Sequence, residues 1–353
     1  MLVLQVLNIK LLPKFFNFKN IIKRKNKTIE IYDKLHKITN KEIIYKNNTK
    51  INYENYLKEQ ENIEQFLNMK IHKINRLPFN KVSLMYKEPF NLYTFDYKQL
   101  KKDYVFFGNG FKHKEIYIKL NELTHYFIVG QSGSGKSVFQ NLLINNFIYN
   151  LDNLEKLILV DLKGGVEFLQ YKQVNKNKII VIDSITKLNK LLNFLVNKME
   201  KRYNEMIKKD IKNWDGKQII VLIDEFVSIK DQSNLLDKNE NKELNNNLRT
   251  LLGKSRASGI KFFISTQKGT SDSIDTTIRE NLQTKILLRT ISKDGQRAVL
   301  GGNEVIEELG VEPSKFTKGK MIFFSETLTD YIQSPYIQED FYKNFIKEKG
   351  VKK

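Results

Sequence analysis

One segment constrains the fold of this chain more than any other feature. Residues 130–137 read Gly-Gln-Ser-Gly-Ser-Gly-Lys-Ser and match the pattern G-x-x-x-x-G-K-[ST] at every position. An apolar run at residues 126–129 precedes this segment, and helical spacing begins at Lys136. A glycine-rich turn between a buried strand and a helix N-terminus directs backbone N–H groups and the positive end of the helix dipole at an anion. The segment therefore predicts a phosphate-binding loop in an α/β domain.

Each residue type in this loop has a chemical reason to be there. The glycines let the backbone turn inward around phosphate oxygens, Lys136 reaches the β- and γ-phosphates, and the Ser137 hydroxyl ligates Mg²⁺. ATP and Mg²⁺ are therefore the predicted cofactors. A chance match in a Gly/Ser-rich connector is the alternative, which the flanking strand and helix disfavour. The predicted nucleotide-binding residues are Gly130, Gln131, Ser132, Gly133, Ser134, Gly135, Lys136, Ser137 and Val138.

From about residue 123 onward, short apolar runs alternate with helical stretches. The runs lack polar alternation, as expected for strands buried on both faces of a parallel sheet. Helices are predicted over residues 136–150, 184–210 and 239–258. This alternation indicates an α/β fold with a mainly parallel central sheet. The predicted strands cover residues 126–129, 157–160, 179–182, 219–223, 261–265, 286–288 and 321–324.

Two acids, Asp224 and Glu225, follow the buried run at residues 219–223. The carboxyl ends of parallel strands form the edge where open α/β folds bind nucleotides. We expect Asp224 to hold Mg²⁺ through water and Glu225 to polarise the attacking water. Surface acids at a strand end are the alternative interpretation, because this pattern alone is common. The phosphate loop earlier in the chain favours the catalytic interpretation.

Gln267 ends the next buried run, after Ser265 and Thr266. A polar side chain at this edge is predicted to touch the γ-phosphate or the attacking water. Solvation of the strand end would explain the same residues if the other two motifs were absent.

Composition limits the remaining chemistry and indicates a polyanionic partner. The chain has no cysteine and four histidines, which excludes disulfide scaffolds, iron–sulfur clusters and cysteine zinc sites. Its net charge is +20, which favours nucleic acid or an acidic membrane face as a partner. An AT-rich genome would also enrich Lys, Asn and Ile together, and we assign part of the charge to that bias.

The basic residues are concentrated in the first third of the chain. Residues 1–115 carry a net charge of +12, and the excess is densest over residues 10–50. Such a run is usually a solvated arm, with a nucleic-acid or lipid contact as the alternative. A helix is predicted over residues 51–70, and a hairpin over residues 104–120 with its turn at residues 108–110.

Three regions are predicted: a basic, partly helical N-terminal region over residues 1–103, an ATPase domain over 104–335, and a C-terminal helix or tail over 336–353. No run approaches the ~18 apolar residues of a membrane span. The apolar run at residues 1–7 is interpreted as a buried strand or helix end and not as a signal peptide. We therefore expect a cytoplasmic protein that reaches a membrane only through a partner.

Six further-reaching sequence motifs follow one another along the chain. They are HYFIVGQSGSGKSV (125–138), VDLKGGVE (160–167), MEKRY (199–203), RASGI (256–260), TQ (266–267), and NLQTKI (281–286) followed by Ser292, Lys293 and Arg297. In this order they resemble the motor domain of the FtsK/SpoIIIE family over residues 104–325. The resemblance is more specific than the phosphate loop alone, because it includes an Asp-x-Lys segment, a Met-Glu-x-Arg-Tyr helix and an Arg-Ala-x-Gly-Ile turn.

The resemblance implies a RecA-like P-loop NTPase core, preceded here by a smaller α+β N-terminal region. It implies an ATP-dependent double-stranded DNA translocase that assembles into a ring, expected to be a hexamer, and serves DNA transfer or segregation of a mobile element. One alternative is a coupling ATPase that docks a relaxase–DNA complex onto a membrane secretion channel. Another is a P-loop ATPase that acts on protein.

The chain departs from the family pattern at two positions. Lys285 stands where the family usually has Arg, and Gly295 where it has Asp. Ring motors use an Arg that reaches a neighbour's γ-phosphate, and a lysine is a weaker substitute at such a site. Arg289 or Arg297 is the expected replacement. The last core strand is expected to end near Phe324, leaving too little chain for a DNA-reading module. The family resemblance therefore implies either DNA binding without sequence preference or specificity supplied by a partner. The predicted catalytic residues are Glu225, Lys136, Gln267, Arg289 and Arg297.

Overall fold

The computed structural model of the protein describes residues 9–13, 19–24, 27–38, 42–46, 53–67, 71, 73–77, 81–85, 92–111, 115–270 and 274–337. The chain divides into two compact units, residues 1–91 and residues 92–353. The apolar run at residues 1–7 and the tail beyond residue 337 lie outside the described residues. The division predicted from sequence at residues 103/104 and 335/336 stays a prediction.

The first unit is built on a four-stranded antiparallel sheet, in the order β3-β4-β6-β5, beside a two-stranded hairpin of β1 and β2. Buried Ile43, Tyr45 and Leu84 from the sheet form one apolar cluster with Tyr56 and Ile63 from the helices. Its strands and helices are α1 (residues 9–13), β1 (Lys19–Arg24), β2 (Lys27–Tyr32), β3 (Lys34–Ile38), β4 (Glu42–Lys46), α2 (Tyr53–Lys58), α3 (Gln60–Leu67), β5 (Lys73–Leu77) and β6 (Lys81–Met85).

The single helix predicted over residues 51–70 is two helices, because regular helix stops at Glu59 between α2 and α3. In α2, Leu57 is 39% exposed, whereas the neighbouring Tyr56 is buried. Tyr56 belongs to the apolar cluster of the first unit.

The second unit contains a ten-stranded sheet in the order β11-β10-β12-β13-β9-β14-β15-β16-β7-β8. The first six of these strands are parallel, and the other four pair antiparallel. The predicted RecA-like core with a mainly parallel sheet is therefore confirmed. The strands are β7 (Tyr104–Gly110), β8 (Ile116–Lys119), β9 (Tyr126–Val129), β10 (Leu154–Val160), β11 (Ile179–Ile182), β12 (Gln218–Ile223), β13 (Ile260–Thr266), β14 (Thr284–Leu287), β15 (Lys320–Phe324) and β16 (Thr329–Gln333).

Apolar clusters cover both faces of this sheet. Along β9, Tyr126 and Ile128 belong to one cluster, whereas Phe127 and Val129 belong to the other. This double burial explains why the strand sequences are continuously apolar. The helices of this unit are α4 (Lys136–Tyr149), α5 (Ile185–Lys208), α6 (Val227–Gln232), α7 (Lys238–Lys254), α8 (Thr276–Asn281), α9 (Lys293–Leu300) and α10 (Glu304–Leu309).

Two sequence predictions about strands need correction. The turn expected at residues 108–110 lies inside β7, where the register with β8 shifts between Phe106 and Gly108. The prediction that the core ends near Phe324 is wrong, because β16 follows and pairs with both β15 and β7. Within the described ranges, no helix is long and apolar enough to cross a lipid bilayer.

Candidate nucleotide-binding site

The loop between β9 and α4 has the backbone conformation that its glycines allow. Gly133 and Gly135 have φ angles of 73° and 96°, in the left-handed region that side chains disfavour. A Cβ atom on Gly135 would also lie 2.7 Å from the backbone nitrogen of Gly319. That nitrogen donates a 2.9 Å hydrogen bond to the Ser134 carbonyl. These backbone contacts leave no room for a side chain at position 135, so the loop requires glycine there.

A cleft of about 430 Å³ opens at the carboxyl ends of the parallel strands. Strand β13 lies between β9 and β12, and β10 follows β12, so residues after all four strands meet at one edge. Gly130 and Ser134 are not among its lining residues, and the Ser134 side chain is buried. The cleft is lined by Gln131, Ser132, Gly133, Gly135, Lys136, Ser137, Val138, Asp161, Lys163, Val166, Glu167, Asp224, Gln267 and Lys318.

Lys136 and Asp224 form a buried ion pair across the floor of this cleft. Lys136 Nζ donates to the Asp224 carbonyl at 3.0 Å and to Asp224 Oδ1 at 3.1 Å. Both side chains are less than a tenth exposed. When no other anion or cation is present, each buried charge is therefore stabilised by the opposite charge beside it. The predicted phosphate-binding lysine and the predicted metal-binding acid are thus brought together.

Glu225 is buried behind Asp224, and both of its carboxylate oxygens face polar groups. Oε1 accepts the Thr266 hydroxyl at 2.7 Å and the Gln267 backbone N–H at 3.2 Å. Oε2 lies 3.5 Å from Lys163 Nζ and accepts no hydrogen bond from the residues that the structure describes. Strand β13 therefore orients the carboxylate through Thr266, while the Gln267 side chain lines the cleft.

Asp161 organises a second loop beside the cleft, which the sequence analysis did not count among the site residues. Its Oδ1 accepts the Lys163 backbone N–H at 2.9 Å, and its Oδ2 accepts that of Glu167 at 3.0 Å. Burial, and then the charges of Asp224 and Asp161, raise the pKa of the Glu167 carboxyl. The sequence signal for Asp161 is its position directly after the buried strand β10, just as Asp224 directly follows β12.

The residues at the cleft fit a bound Mg²⁺. The Ser137 hydroxyl and the Asp224 carboxylate are hard oxygen donors that line the same cleft. Mg²⁺ is usually held by one or two such groups together with waters and substrate phosphates. The described residues contain no group of three or more His, Cys, Asp or Glu that could hold a metal ion. When bound, Mg²⁺ neutralises charge on phosphate oxygens. Ser137 and Asp224 would hold it.

The two arginines predicted to act on a neighbouring subunit have different surroundings. Arg289 packs on its own phosphate loop, with Nη2 3.5 Å from the Ser132 carbonyl. Arg297 is an exposed residue of α9, and its Nε donates to Asn303 at 3.2 Å. Neither side chain lines the cleft of its own chain. A role in a neighbouring subunit stays a prediction for both.

Several residues of the matched motifs stabilise the fold at the opposite edge of the sheet. His125 Nδ1 accepts the Phe262 backbone N–H at 3.1 Å, and Arg202 Nη1 donates to the Ser258 carbonyl at 2.7 Å. Lys285 Nζ donates to the Arg279 carbonyl at 2.6 Å, and burial lowers the pKa of Lys285 to about 8. Lys285 is therefore tied to its own chain.

A strand–loop–helix that presents Lys136, with two acids at the end of β12, is the arrangement of a P-loop nucleotide-binding domain. The sequence model of the FtsK/SpoIIIE family matches residues 95–284, just over half of the chain. The chain therefore belongs to the FtsK/SpoIIIE family. The resemblance seen in the sequence is confirmed.

The curated relatives are much longer than this chain. A DNA translocase FtsK of Leptospira interrogans is 28% identical over 269 residues, which is 70% of this chain and 27% of that protein. One from Staphylococcus epidermidis is 28% identical over 254 residues, 66% of this chain and 30% of that protein. The chain thus spans less than a third of the length of these relatives.

Two solved structures have the same fold. The pCW3 conjugation coupling protein TcpA, in a monomer form with ATPgS, is 24% identical and aligns over 98% of this chain and 99% of its own, with a TM-score of 0.65. EssC (ATPases 2 and 3) from Geobacillus thermodenitrificans is 19% identical and aligns over 74% of this chain and 51% of its own, with a TM-score of 0.56.

Proposed function

We propose that this protein hydrolyses ATP and uses the energy to move double-stranded DNA. The observation that carries the hydrolysis step is the contact between Lys136 and Asp224 in the lining of one cleft, with Glu225 buried directly after Asp224. These are a phosphate-binding cation, a metal-binding acid and a candidate base, the three groups that P-loop hydrolysis requires.

Each of these residues has a separate role in the proposed reaction. A bond forms between a water oxygen and the γ-phosphorus of ATP, and the bond from that phosphorus to the β–γ bridging oxygen breaks. Glu225 accepts the proton that the water releases, and Lys136 offsets the negative charge on the phosphate oxygens. Thr266 and the Gln267 backbone keep the Glu225 carboxylate in position.

Three observations support DNA as the substrate. The matching curated relatives are named DNA translocases. The net charge of +20 suits a polyanion. In the first unit, Lys34, Lys46 and Lys81 lie in direct register across three neighbouring strands. Like charges placed directly opposite destabilise a sheet, and phosphate groups would compensate them.

The proposal extends to assembly and biological role. We propose that several copies form a ring, expected to be a hexamer, in which an arginine of one copy reaches the nucleotide of the next. Within one copy, Arg289 and Arg297 both lie outside the lining of the cleft. We also propose service to a mobile element, which the match to a conjugation coupling protein over nearly its whole length supports.

The test is steady-state ATP hydrolysis by the purified chain with and without duplex DNA. We expect duplex to stimulate turnover several-fold. Lys136→Ala removes a charge-assisted phosphate contact worth about 1.5–3 kcal/mol and should abolish both rates. A control variant, Lys172→Ala, changes a lysine outside the cleft that pairs with Asp183. Undiminished turnover by Lys136→Ala would overturn the assignment of the site.

A second candidate function is a coupling ATPase that docks a nucleoprotein onto a secretion channel, favoured by the full-length match to TcpA. A triplex-displacement assay separates the two, because only a translocase strips a third strand from duplex DNA when ATP is present. ATP hydrolysis that no nucleic acid changes would instead favour a protein substrate, as the EssC match would allow.

A further inference from the structure

The contact between Lys163 and Glu225 joins two segments that the sequence separates by 62 residues. Lys163 follows β10, whereas Glu225 follows β12, and these two strands are neighbours in the sheet. The Glu225 side chain is 6% exposed and the Lys163 side chain 49% exposed. A buried carboxylate is therefore compensated by a cation that reaches it from the solvent side.

This contact involves the one carboxylate oxygen of Glu225 that accepts no hydrogen bond from the described residues. Oε1 of Glu225 already accepts two hydrogen bonds from β13 and the residue after it. Oε2 receives none, and Lys163 Nζ faces it at 3.5 Å. A carboxylate takes a proton from water through an oxygen that water reaches. With Lys163 in place, the free oxygen of Glu225 is shielded by an ammonium group.

The Lys163 loop holds the backbone of this residue in place and leaves its side chain half-exposed. Asp161 holds the Lys163 backbone N–H, which fixes the base of the side chain. Gly164 and Gly165 follow with φ angles of 96° and 72°, so the loop bends sharply away from the strand. Lys163 also lines the cleft where the phosphates would bind. A triphosphate carries more negative charge than one carboxylate and would draw the ammonium away.

We infer that Lys163 is a positioning residue that restrains Glu225 until the cleft is filled and the motor is engaged. The inference rests on the proposed function, because it assigns a control to the same base. The hydrogen bonds from Thr266 and the Gln267 backbone keep the Glu225 carboxylate oriented before and after the cleft is filled. Only the contact between Lys163 and Glu225 is lost when the cleft is filled. Idle hydrolysis is low as long as the Lys163–Glu225 contact persists.

The kinetic test compares Lys163→Met with Lys163→Arg. Met removes the cation and keeps the length of the side chain, so turnover without DNA should rise several-fold. The DNA-stimulated rate should stay near that of the unmodified protein, because Lys163 has already left Glu225 in that state. The ratio of the DNA-stimulated rate to the rate without DNA therefore falls. Lys163→Arg keeps a cation and should restore the low basal rate. Lys172→Met, outside the cleft, is the matched control and should leave both rates unchanged.

A second measurement needs no turnover. In nucleotide-free protein, Lys163→Met leaves the buried Glu225 carboxylate without its cation, and the melting temperature should fall by about 2 °C. In a Glu225→Gln background the same change should have no effect, because the charge that it compensated is gone. The two substitutions together form a double-mutant cycle.

The outcomes separate the inference from the proposed function. If the unmodified protein hydrolyses no ATP, the proposed function fails. If it does hydrolyse ATP but Lys163→Met leaves the basal rate unchanged, or lowers both rates by one factor, the inference is overturned and the ATPase assignment stands. Additive melting temperatures in the cycle would overturn it as well.

Discussion

His125 gives the protein a pH dependence that a single substitution tests. Burial, and then the charges of Lys261 and Arg256, lower the pKa of His125 to about 3. The unfolded chain takes up a proton at this residue near pH 6.5, whereas the native state stays neutral. Between those values His125 alone therefore lowers the free energy of unfolding by about 1.4 kcal/mol per pH unit as pH drops.

We expect His125→Gln to remove this dependence. The Gln side chain oxygen would still accept the Phe262 N–H, so the variant should keep its fold. Urea unfolding of both proteins at several pH values from 7 to 4 measures the effect. As pH falls, the free energy of unfolding of the unmodified protein should drop more steeply than that of the variant. The difference in slope corresponds to one additional proton bound on unfolding. Parallel curves would contradict the low pKa.

The sequence indicates which residues lie near one another in the candidate site only where local spacing carries the signal. Lys136, Asp224 and Gln267 line one cleft, and each sits at the end of a buried strand or in the phosphate loop. Their catalytic and binding roles stay predictions. The pairing of Glu225 with Lys163 was missed. It depends on which strands are neighbours and where a long side chain points, and neither is encoded in local spacing.

The sheet of the first unit carries a row of aligned lysines whose binding to DNA can be tested by substitution. Lys34 lies opposite Lys46, and Lys46 lies opposite Lys81, in the antiparallel sheet of β3, β4 and β6. No acid among the described residues forms an ion pair with them. Burial, and then the charges of Lys81, Lys46 and Lys37, lower the pKa of His36 on the same sheet. The local potential is therefore positive.

We expect this row to bind DNA phosphates. Changing Lys34, Lys46 and Lys81 to Gln should make the plot of log K against log salt for duplex binding shallower by about 2–3, at roughly 0.9 per phosphate. A control with the same charge change replaces exposed Lys201, Lys208 and Lys212. Equal slopes for the two triple variants would contradict the assignment, and two unrelated duplexes test for sequence preference.

Strand β16 shows why the end of the core escaped prediction. Asp330 and Gln333 are buried in it, so the segment lacks the continuous apolar character of the parallel strands. Asp330 Oδ1 accepts the Phe111 backbone N–H at 3.1 Å, and the Gln333 amide donates to the Lys318 carbonyl at 3.1 Å. Polar side chains that satisfy backbone groups within the core carry no apolar signal in the sequence.

Ring assembly belongs to the whole molecule and is tested with Glu225→Gln. The amide keeps the shape of the side chain and accepts the Thr266 hydroxyl, yet it is a poor base. Turnover should fall by roughly 10²–10⁴-fold while ATP stays bound. Trapped ATP should then hold neighbouring copies together, and light scattering after size exclusion measures the mass. The same variant without nucleotide is the control, and a monomer in both conditions would contradict the ring.

The contact between Gly319 and the phosphate loop has a mechanical consequence. The Gly319 N–H bonds the Ser134 carbonyl, and the Gly319 carbonyl accepts the Ser334 N–H at 2.8 Å. The chain that leaves β16 is therefore two backbone hydrogen bonds away from the glycine-rich turn between β9 and α4. A force applied along residues 334–337 loads this short path directly. We therefore expect tension on the antiparallel strands of the sheet to change the shape of the candidate nucleotide site.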